Sequence, residues 1–249
     1  MRWTYVVFGA LFFLMGCPNG TPKGDSAPPS LYIPAETYEV EVHSFQNISY
    51  QDVLGYERSV NVSIYHPADA PFPAPVVLLS HGGASGKTNP EVVLQDWAKR
   101  ISSSGYVAVA IAHPQRDEES YEELCVFLGV DEDLQCALKI NWERPYDVSR
   151  VLDWLEVQNE SETLLGAMDL SRVAHLGHSA GAGCAMMLAG APRNYTCAQP
   201  FGLEQGSIVE CATDDLVSKR DDRVKAILAF SNQGPAQDGF MESSFGEID

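Results

Sequence analysis

Two continuous apolar runs constrain the fold of this chain more than any other feature. They are "APVVLLSHGG" at 74–83 and "YVAVAIAHP" at 106–114, and one more strand is predicted for "DRVKAILAF" at 222–230. Runs that show no alternation of polar and apolar residues are typical of strands buried on both faces of a parallel sheet. The two runs end in glycine, histidine or proline, which places polar turns at the carboxyl ends of the strands.

Segments with helical spacing separate the apolar strands. Helices are predicted for "PEVVLQDWAKRISSSG" at 90–105, "RPYDVSRVLDWLEVQ" at 144–158 and "AGAGCAMMLAG" at 180–190. Strands that alternate with helices predict a parallel sheet with helices on both faces. Alternating residues at 38–45 and 58–67 predict an antiparallel edge to it. We therefore predict an α/β fold with a mostly parallel, doubly wound sheet.

The first residues have the composition of an export signal. Arg2 precedes an apolar stretch, and the sequence L-M-G-C that ends at Cys17 resembles a bacterial lipobox. That resemblance implies a lipoprotein signal peptide at 1–16, and a lipid on Cys17 that anchors the chain in the membrane of the cell envelope. Pro18 favours the outer membrane by analogy with such lipoproteins, and 17–36 is predicted to be a flexible tether. The alternative is an ordinary secretion signal with an incidental cysteine.

The cysteines are distributed as expected for an oxidising compartment. Cys125 and Cys136 flank an acidic loop, and Cys197 and Cys211 flank a loop that contains glycine, so each pair could close a short disulfide loop. Cys184 lies among small residues and is predicted to be a buried free thiol. The alternative is an exported protein with five free thiols.

The charge of the chain restricts its partners. Its 34 acidic and 16 basic residues give a net charge of -18, which disfavours binding to nucleic acid and to anionic membrane surfaces. The acidic segment 117–133 lacks the D-x-D-x-D-G spacing of a calcium loop, and the histidines lack the spacing of zinc ligands along the chain. The sequence therefore predicts no metal site.

A G-x-S-x-G motif joins a predicted strand, 171–178, to the following helix. It consists of Gly177, His178, Ser179, Ala180 and Gly181. A strand before the motif and a helix after it indicate a nucleophile elbow, in which the glycines permit close packing of strand and helix. The helix also directs its free amides toward Ser179. We predict that Ser179 is a nucleophile; the alternative is a glycine-rich turn with a surface serine.

The turn after the first apolar run, "LLSHGG", resembles the oxyanion-hole loop of α/β-hydrolases. Acyl transfer places negative charge on a carbonyl oxygen, and a backbone amide directed at that oxygen stabilises it by about 3 kcal/mol. The predicted donors are the amides of Gly83 and Ala180, with His81 as a packing and hydrogen-bonding residue. A phosphate-binding loop is the alternative, but its complete pattern is absent.

From about residue 38 onward, the chain resembles the α/β-hydrolase superfamily. Within it, the chain is similar to the dienelactone hydrolase group and to bacterial proteins that resemble platelet-activating-factor acetylhydrolase. The matching pieces are "VSIYHP", "VVLLSHGG", "GYVAVAIAHP", "RPYDVSRVLDWL", "GHSAGAG" and "DRVKAILAF". The resemblance implies an α/β-hydrolase domain at 37–249, with 115–141 as an acidic loop or lid. It also implies hydrolysis of a small ester through an acyl-enzyme on Ser179, without a cofactor.

The resemblance further implies a catalytic acid and a catalytic histidine after Ser179 in the chain. None of the six histidines lies there, and Asp238 is only a weak candidate for the acid. We expect the chain to lack the last two strands of the fold, together with the acid and the histidine, and to turn over little. If it proves active, His113, at a position where the family carries a substrate-lining residue, is the first candidate base. The alternative function is a non-catalytic lipoprotein of this fold that binds a ligand or partner.

Overall fold

A computed structural model of the chain describes residues 37–83, 89–116, 118–127, 143–160, 168–194, 216–232, 240 and 242–248. Several predictions lie outside these residues. They are the signal peptide 1–16, the tether 17–36, the lipid site at Cys17, the four cysteines of the expected disulfides (the side chain of Cys125, and Cys136, Cys197 and Cys211), and Asp238.

Helices and strands alternate in the described residues, as the sequence predicts. The strands are β1 (Val40–Gln51), β2 (Glu57–Pro67), β3 (Ala74–Ser80), β4 (Val107–Ala112), β5 (Met168–His178), β6 (Arg193–Asn194), β7 (Leu216–Val217) and β8 (Val224–Phe230). The helices are α1 (Gln95–Ser103), α2 (Glu118–Phe127), α3 (Arg144–Gln158) and α4 (Ala180–Leu188), with short 3-10 segments at Pro90–Val92 and Ser243–Glu247.

One mixed sheet forms the centre of the molecule, with the strand order β1-β2-β4-β3-β5-β8. The strands β4, β3, β5 and β8 are parallel, whereas β1 and β2 are antiparallel to their neighbours. This arrangement confirms the predicted α/β fold of the α/β-hydrolase type, including its antiparallel edge. All carboxyl ends of the parallel strands lie at one edge of the sheet, where ligands bind in open α/β folds.

Each face of the sheet carries its own apolar core. Side chains of α3 and α4 pack on one face, against Val76 and Leu78 of β3, and Ala98 of α1 packs on the other, in the same cluster as Leu79. All six residues of β4 are buried; its valines and isoleucine face α3 and α4, whereas its alanines face α1. Helices therefore lie on both faces, and the alanine face allows α1 a close approach.

Strand β1 is an edge strand with a local irregularity. Its register against β2 shifts between Phe45 and Ile48, and Asn47 within that interval has a φ of 62°. The amide of Asn47 donates to the side-chain oxygen of Asn61 on β2, 2.9 Å away, instead of to a ladder carbonyl. The irregularity is a β-bulge, which bends the strand.

Residues 118–127 of the acidic segment 115–141 form α2, and Leu124 of α2 is fully buried in one cluster with Met187 and Phe240. The role of the segment as a loop or lid stays a prediction. The helix predicted for 90–105 is divided, because Leu94 has a φ of 49° and separates the 3-10 segment from α1. No helix in the described part of the chain has the length and apolar character that a membrane crossing requires.

Candidate active site

Ser179 stands on a sharp turn between β5 and α4, at the carboxyl edge of the sheet. Its backbone has φ 52° and ψ -114°, a left-handed conformation that costs a non-glycine residue about 1–3 kcal/mol. The amide of Ser179 donates to the carbonyl of Phe230 at the end of β8, 2.9 Å away. The neighbouring strand thus holds the serine in a conformation typical of a nucleophile elbow, with its side chain only partly buried.

The two glycines of the motif permit close packing around this turn. A Cβ on Gly177 would lie 1.9 Å from the carbonyl oxygen of Gly181, and a Cβ on Gly181 would lie 2.2 Å from the carbonyl oxygen of Ser80. Both obstacles are backbone atoms, which cannot rotate away. The first turn of α4 therefore rests directly on the ends of β5 and β3.

The predicted oxyanion loop passes beside the serine. A Cβ on Gly82 would lie 3.1 Å from the Cβ of Ser179 and 2.7 Å from Nδ1 of His178, so the loop and the elbow are in van der Waals contact. Gly83 follows with a φ of 84°. Within the described residues, the amides of Gly83 and Ala180 donate to no protein acceptor. Their role as oxyanion donors remains a prediction.

Side-chain donors hold three consecutive carbonyls of the oxyanion loop. Arg144, buried at the start of α3, donates to the carbonyls of His81 and, at 2.7 Å, of Gly83. His81 Nδ1 donates to the carbonyl of Gly82, 2.9 Å away, because its Nε2 accepts the amide of His113. The Gly82 carbonyl and the Gly83 amide belong to one planar peptide and point in opposite directions. Fixing this carbonyl therefore fixes the direction of the predicted oxyanion donor.

Arg144 keeps its charge in this position. Burial lowers the pKa of its guanidinium to about 10, which still leaves it protonated at neutral pH. Nothing along the chain indicated this role beyond the place of Arg144 at the start of a predicted helix. His81, in contrast, is a buried, hydrogen-bonded residue, in agreement with the prediction for it.

A buried carboxylate, Asp147, organises the interior beneath this edge of the sheet. It accepts hydrogen bonds from Tyr50 (2.8 Å), from two nitrogens of Arg58 (2.7 and 2.9 Å) and from His113 Nδ1 (2.8 Å). Burial alone would raise the pKa of Asp147, but the charge of Arg58 and the hydrogen bonds from His113 and Arg58 hold it well below its usual value. The ionised carboxylate of Asp147 on α3 is therefore hydrogen-bonded to side chains of β1, of β2 and of the residue that follows β4.

The hydrogen-bonded series continues from His113 to a second serine. Because Nδ1 of His113 donates to Asp147, its Nε2 accepts the hydroxyl of Ser80, 2.8 Å away. The Ser80 oxygen in turn accepts from Nε2 of His175, also at 2.8 Å. Burial lowers the pKa of both histidines to about 3, so both are neutral at physiological pH.

Ser80, His113 and Asp147 have the connectivity of a catalytic triad, but none of them reaches solvent. Their exposed fractions are 0%, 1% and 0%. His113 was expected to occupy a substrate-lining position and to be the first candidate base. The structure contradicts that expectation, because its ring is buried and both ring nitrogens are already engaged by Ser80 and Asp147.

All six histidines lie in the described residues, and none is hydrogen-bonded to Oγ of Ser179. His178 is adjacent in sequence but exposed, and His43 and His66 lie on β1 and β2. The remaining three belong to the buried interior: His81, His113 and His175. The described part of the chain therefore contains a strained turn at Ser179 and a glycine loop beside it, but no histidine hydrogen-bonded to the serine Oγ.

The structure confirms the prediction that Cys184 is a buried free thiol. It lies in the core between α4 and the sheet, and burial raises the pKa of its thiol well above the usual value. At neutral pH it is therefore protonated and unreactive.

Comparison with known proteins gives a limited result. No family model matches the chain, and no curated protein matches it. The fold is similar to solved esterases, of which three illustrate the likeness. A ferulic acid esterase from Streptomyces cinnamoneus is 18% identical over 64% of this chain and 56% of its own, with a TM-score of 0.40. A bacterial brefeldin A esterase homologous to human hormone-sensitive lipase is 18% identical over 64% and 37%, with a TM-score of 0.37.

A bacterial heroin esterase is 17% identical over 60% of this chain and 38% of its own, with a TM-score of 0.35. The chain spans 37% to 56% of the length of these three proteins. At these values the likeness adds nothing to what the order of the strands already shows about the fold.

Proposed function

We propose that this protein is a serine-dependent carboxylic ester hydrolase. Ser179 attacks the carbonyl carbon of a small ester, the alcohol leaves, and water releases the acid from the acyl-enzyme. The observation that carries the proposal is the strained turn at Ser179 in contact with a glycine loop. The contact supports a site in which Ser179 is the nucleophile and the amides of Gly83 and Ala180, which donate to no acceptor among the described residues, stabilise the oxyanion.

Arg144 and His81 support the oxyanion hole in this proposal. A donor contributes to catalysis only if it already points to the position of the developing charge, so that nothing reorganises during the reaction. His81 holds the Gly82 carbonyl and thereby the peptide of the Gly83 amide, and Arg144 holds the carbonyls on either side of it, which supports a preorganised donor at Gly83. The sequence resemblance extends the proposal to the dienelactone hydrolase group and the proteins similar to platelet-activating-factor acetylhydrolase.

A serine hydroxyl needs a base to become a good nucleophile at neutral pH. None of the described histidines is hydrogen-bonded to Oγ of Ser179, and loss of a triad member lowers kcat by about four to six orders of magnitude. We therefore expect the 249-residue chain to turn over an ester very slowly. Acylation of the serine, rather than turnover, is the appropriate measurement.

The test uses p-nitrophenyl acetate as an activated ester. After long incubation the chain is quenched in acid, digested and analysed by mass spectrometry for acetylated peptides. We expect acetyl on the peptide that contains Ser179, none there in Ser179→Ala, and an unchanged adduct in Ser80→Ala, which removes the buried hydroxyl. If Ser179→Ala is acetylated to the same extent as the wild type, the proposal is wrong.

A non-catalytic lipoprotein that binds a ligand or partner is the second candidate function. The absence of a histidine bound to Ser179, among the residues that the structure describes, favours it. It predicts that the phosphonate analogue of a small ester binds reversibly, as measured by calorimetry, and that Ser179 is not acylated. Covalent phosphonylation of Ser179 would exclude this candidate.

We also propose that the protein is a lipoprotein of a bacterial outer membrane. The L-M-G-C sequence, followed by a polar region rich in proline and glycine, supports the proposal. Expression in a bacterial host with labelled palmitate should give labelled wild-type chain and unlabelled Cys17→Ser. An unlabelled wild type would refute the lipid anchor.

The disulfide pairs belong to the same proposal, because an exported chain folds under oxidising conditions. Mass mapping without reduction should join Cys125 to Cys136 and Cys197 to Cys211. Cys184 should become alkylated only after unfolding, since it is buried. A disulfide that includes Cys184 would overturn the pairing.

A further inference from the structure

Three side chains with metal-binding atoms converge at the edge of the sheet remote from Ser179. Glu41 and His43 are two residues apart on β1 and therefore share a face of the strand. His66 on β2 is the direct register partner of Glu41. His66 is near the end of β2, and because β2 is antiparallel to β4, this end lies beside the start of β4. Ser179, in contrast, follows the end of β5, which runs in the same direction as β4. The cluster and the candidate active site thus lie at opposite ends of the sheet.

The three ligand atoms already face one another. Oε2 of Glu41 is 3.2 Å from Nε2 of His66 and 3.9 Å from Nε2 of His43, and all three atoms lie within 4.8 Å of each other. The two imidazole rings are stacked with centroids 5.3 Å apart, and the His66 ring packs edge-on against Phe72. Among the described residues, this is the one group of three potential ligands at such distances.

The donor set selects the kind of metal ion. Two imidazoles and one carboxylate suit zinc, whereas calcium and magnesium prefer sites made of oxygen atoms alone. Ligands at about 2.0–2.1 Å from a tetrahedral zinc ion are about 3.4 Å from one another. The Glu41–His66 pair is close to that spacing. The Glu41–His43 pair needs a shift of about half an ångström. Binding requires His43 to move toward both partners, and its side chain, 34% exposed, is free to do so.

We propose that Glu41, His43 and His66 form a binding site for a divalent transition-metal ion of the zinc class, with water completing the coordination. The ion would join the edge strand β1 to β2 and would stabilise the folded state by mass action. This site is independent of the proposed hydrolase function, because it shares no residue with the candidate active site. Sequence patterns could not indicate this site, because cross-strand register brings His66 to Glu41 and spacing along the chain does not show register.

The experiment measures zinc uptake by the full 249-residue chain in equilibrium dialysis, after accessible thiols are alkylated to remove their contribution. We expect one site in the wild type. Glu41→Gln, His43→Gln and His66→Gln should each weaken binding at least about tenfold, since even the loss of a residue that only supports a ligand has an effect of that size. The cobalt-loaded wild type should show the visible absorption of a tetrahedral ion, and the His43→Gln/His66→Gln double variant should not.

Matched controls separate metal binding from charge and from folding. Glu57→Gln removes one carboxylate from β2 outside the cluster, and His178→Gln removes an exposed histidine outside it. Both should bind zinc as the wild type does, and Ser179→Ala should as well, so failure of the ester-hydrolase proposal would leave this result untouched. Circular dichroism checks that each variant is folded. The proposal is overturned if the double variant takes up as much zinc as the wild type, or if either control loses as much as the cluster variants.

Discussion

The two serines near the carboxyl edge of the sheet each have half of what a catalytic serine requires. Ser179 has the strained turn, the start of a helix, the glycine loop proposed as the oxyanion hole, and partial exposure, but no histidine within hydrogen-bond distance. Ser80 has a histidine and an aspartate in series, at 2.8 Å for each bond, but its exposed fraction is 0%. The backbone segments that carry the two serines are in close contact, because Gly181, two residues after Ser179, packs against the carbonyl of Ser80.

The difference shows that hydrogen-bond connectivity is a poor guide to catalysis when it stands alone. The Ser80 series is satisfied at nearly every atom, and its neutral histidines and ionised carboxylate hold several segments together. The elbow at Ser179 is strained and leaves amides without protein acceptors. Unsatisfied and strained groups at a solvent-accessible edge are the better indication of a functional site.

The largest expected effect on stability comes from Asp147, which lies at the centre of the buried series of hydrogen-bonded residues that continues through His113 and Ser80 to His175. Asp147→Asn removes the charge that balances Arg58 and cannot serve all four hydrogen bonds, so we expect the free energy of unfolding to fall by about 3–5 kcal/mol. Urea denaturation at neutral pH measures it. The control Asp153→Asn changes a carboxylate on the same helix whose side chain is 47% exposed, and it should cost less than about 1 kcal/mol.

The Asp147→Asn variant also tests whether His113 and Asp147 have any role in the reactivity of Ser179. If Asp147→Asn remains folded and Ser179 is still acetylated by p-nitrophenyl acetate, the buried series is structural, as we conclude. If the folded variant loses acylation of Ser179, the His113–Asp147 pair serves Ser179 in a conformation that differs from the one described here.

A smaller effect is expected for Ser80→Ala. Loss of the hydroxyl leaves Nε2 of His113 without a donor and Nε2–H of His175 without an acceptor, and an unsatisfied buried group costs about 1–3 kcal/mol. The matched change Ser103→Ala removes an exposed hydroxyl on α1 and should stay within about 0.5 kcal/mol of the wild type. Equal stabilities of these two variants would show that the Ser80 hydroxyl does not hold the buried series together.

The neutral histidines predict a decrease of stability in mild acid. Burial lowers the pKa of His113 and His175 to about 3 in the folded state, whereas unfolded histidine titrates near 6.5. Between these values the unfolded chain binds more protons, so this contribution is complete above about pH 6.5 and is lost as the pH falls. Each histidine contributes up to about 1.4 kcal/mol per pH unit.

Urea denaturation at about pH 7 and about pH 5 tests this dependence. His175→Gln removes one of the two titrating groups, so the pH dependence of its unfolding free energy should be shallower than that of the wild type. An unchanged slope in this variant would mean that His175 is protonated in the folded state, which would contradict the lowered pKa that burial gives its imidazole.

The smallest effect concerns the strain at Ser179. Glycine adopts a positive φ without cost, whereas alanine does not, so Ser179→Gly should be more stable than Ser179→Ala by about 1 kcal/mol. The same pair of changes at Ser80, which lies in a strand, should have the opposite order. If the two variants at position 179 unfold at the same urea concentration, the turn stores no strain and the elbow loses one of its supports.

Sequence patterns predicted the elements well where burial alone decides them. The two apolar runs became β3 and β4, the strand predicted for 222–230 became β8, and the helix predicted for 144–158 has those bounds in the structure. Cys184 is buried, as its small neighbours indicated. His113 and His175 stand beside or within apolar runs, and that setting could have indicated buried histidines rather than an available base.

Features that depend on register or on long-range contacts could not be predicted. Asp147 was visible as an acidic residue in the first turn of a helix, but its partners come from distant segments of the chain. Arg144 contacts the oxyanion loop across more than sixty positions of sequence. The Glu41, His43 and His66 cluster needs the exact pairing of β1 with β2. Spacing along one strand carries none of this information.

The bulge in β1 has a consequence for the behaviour of the protein at high concentration. A free sheet edge is a template on which a second chain can add a strand, and long regular edges are prone to aggregate in this way. Here the bulge at Asn47 divides the edge into two short ladders, at 40–45 and 48–51, and Asn61 engages the amide of Asn47. A foreign strand therefore cannot pair along the whole of β1, and the net charge of -18 adds repulsion between copies.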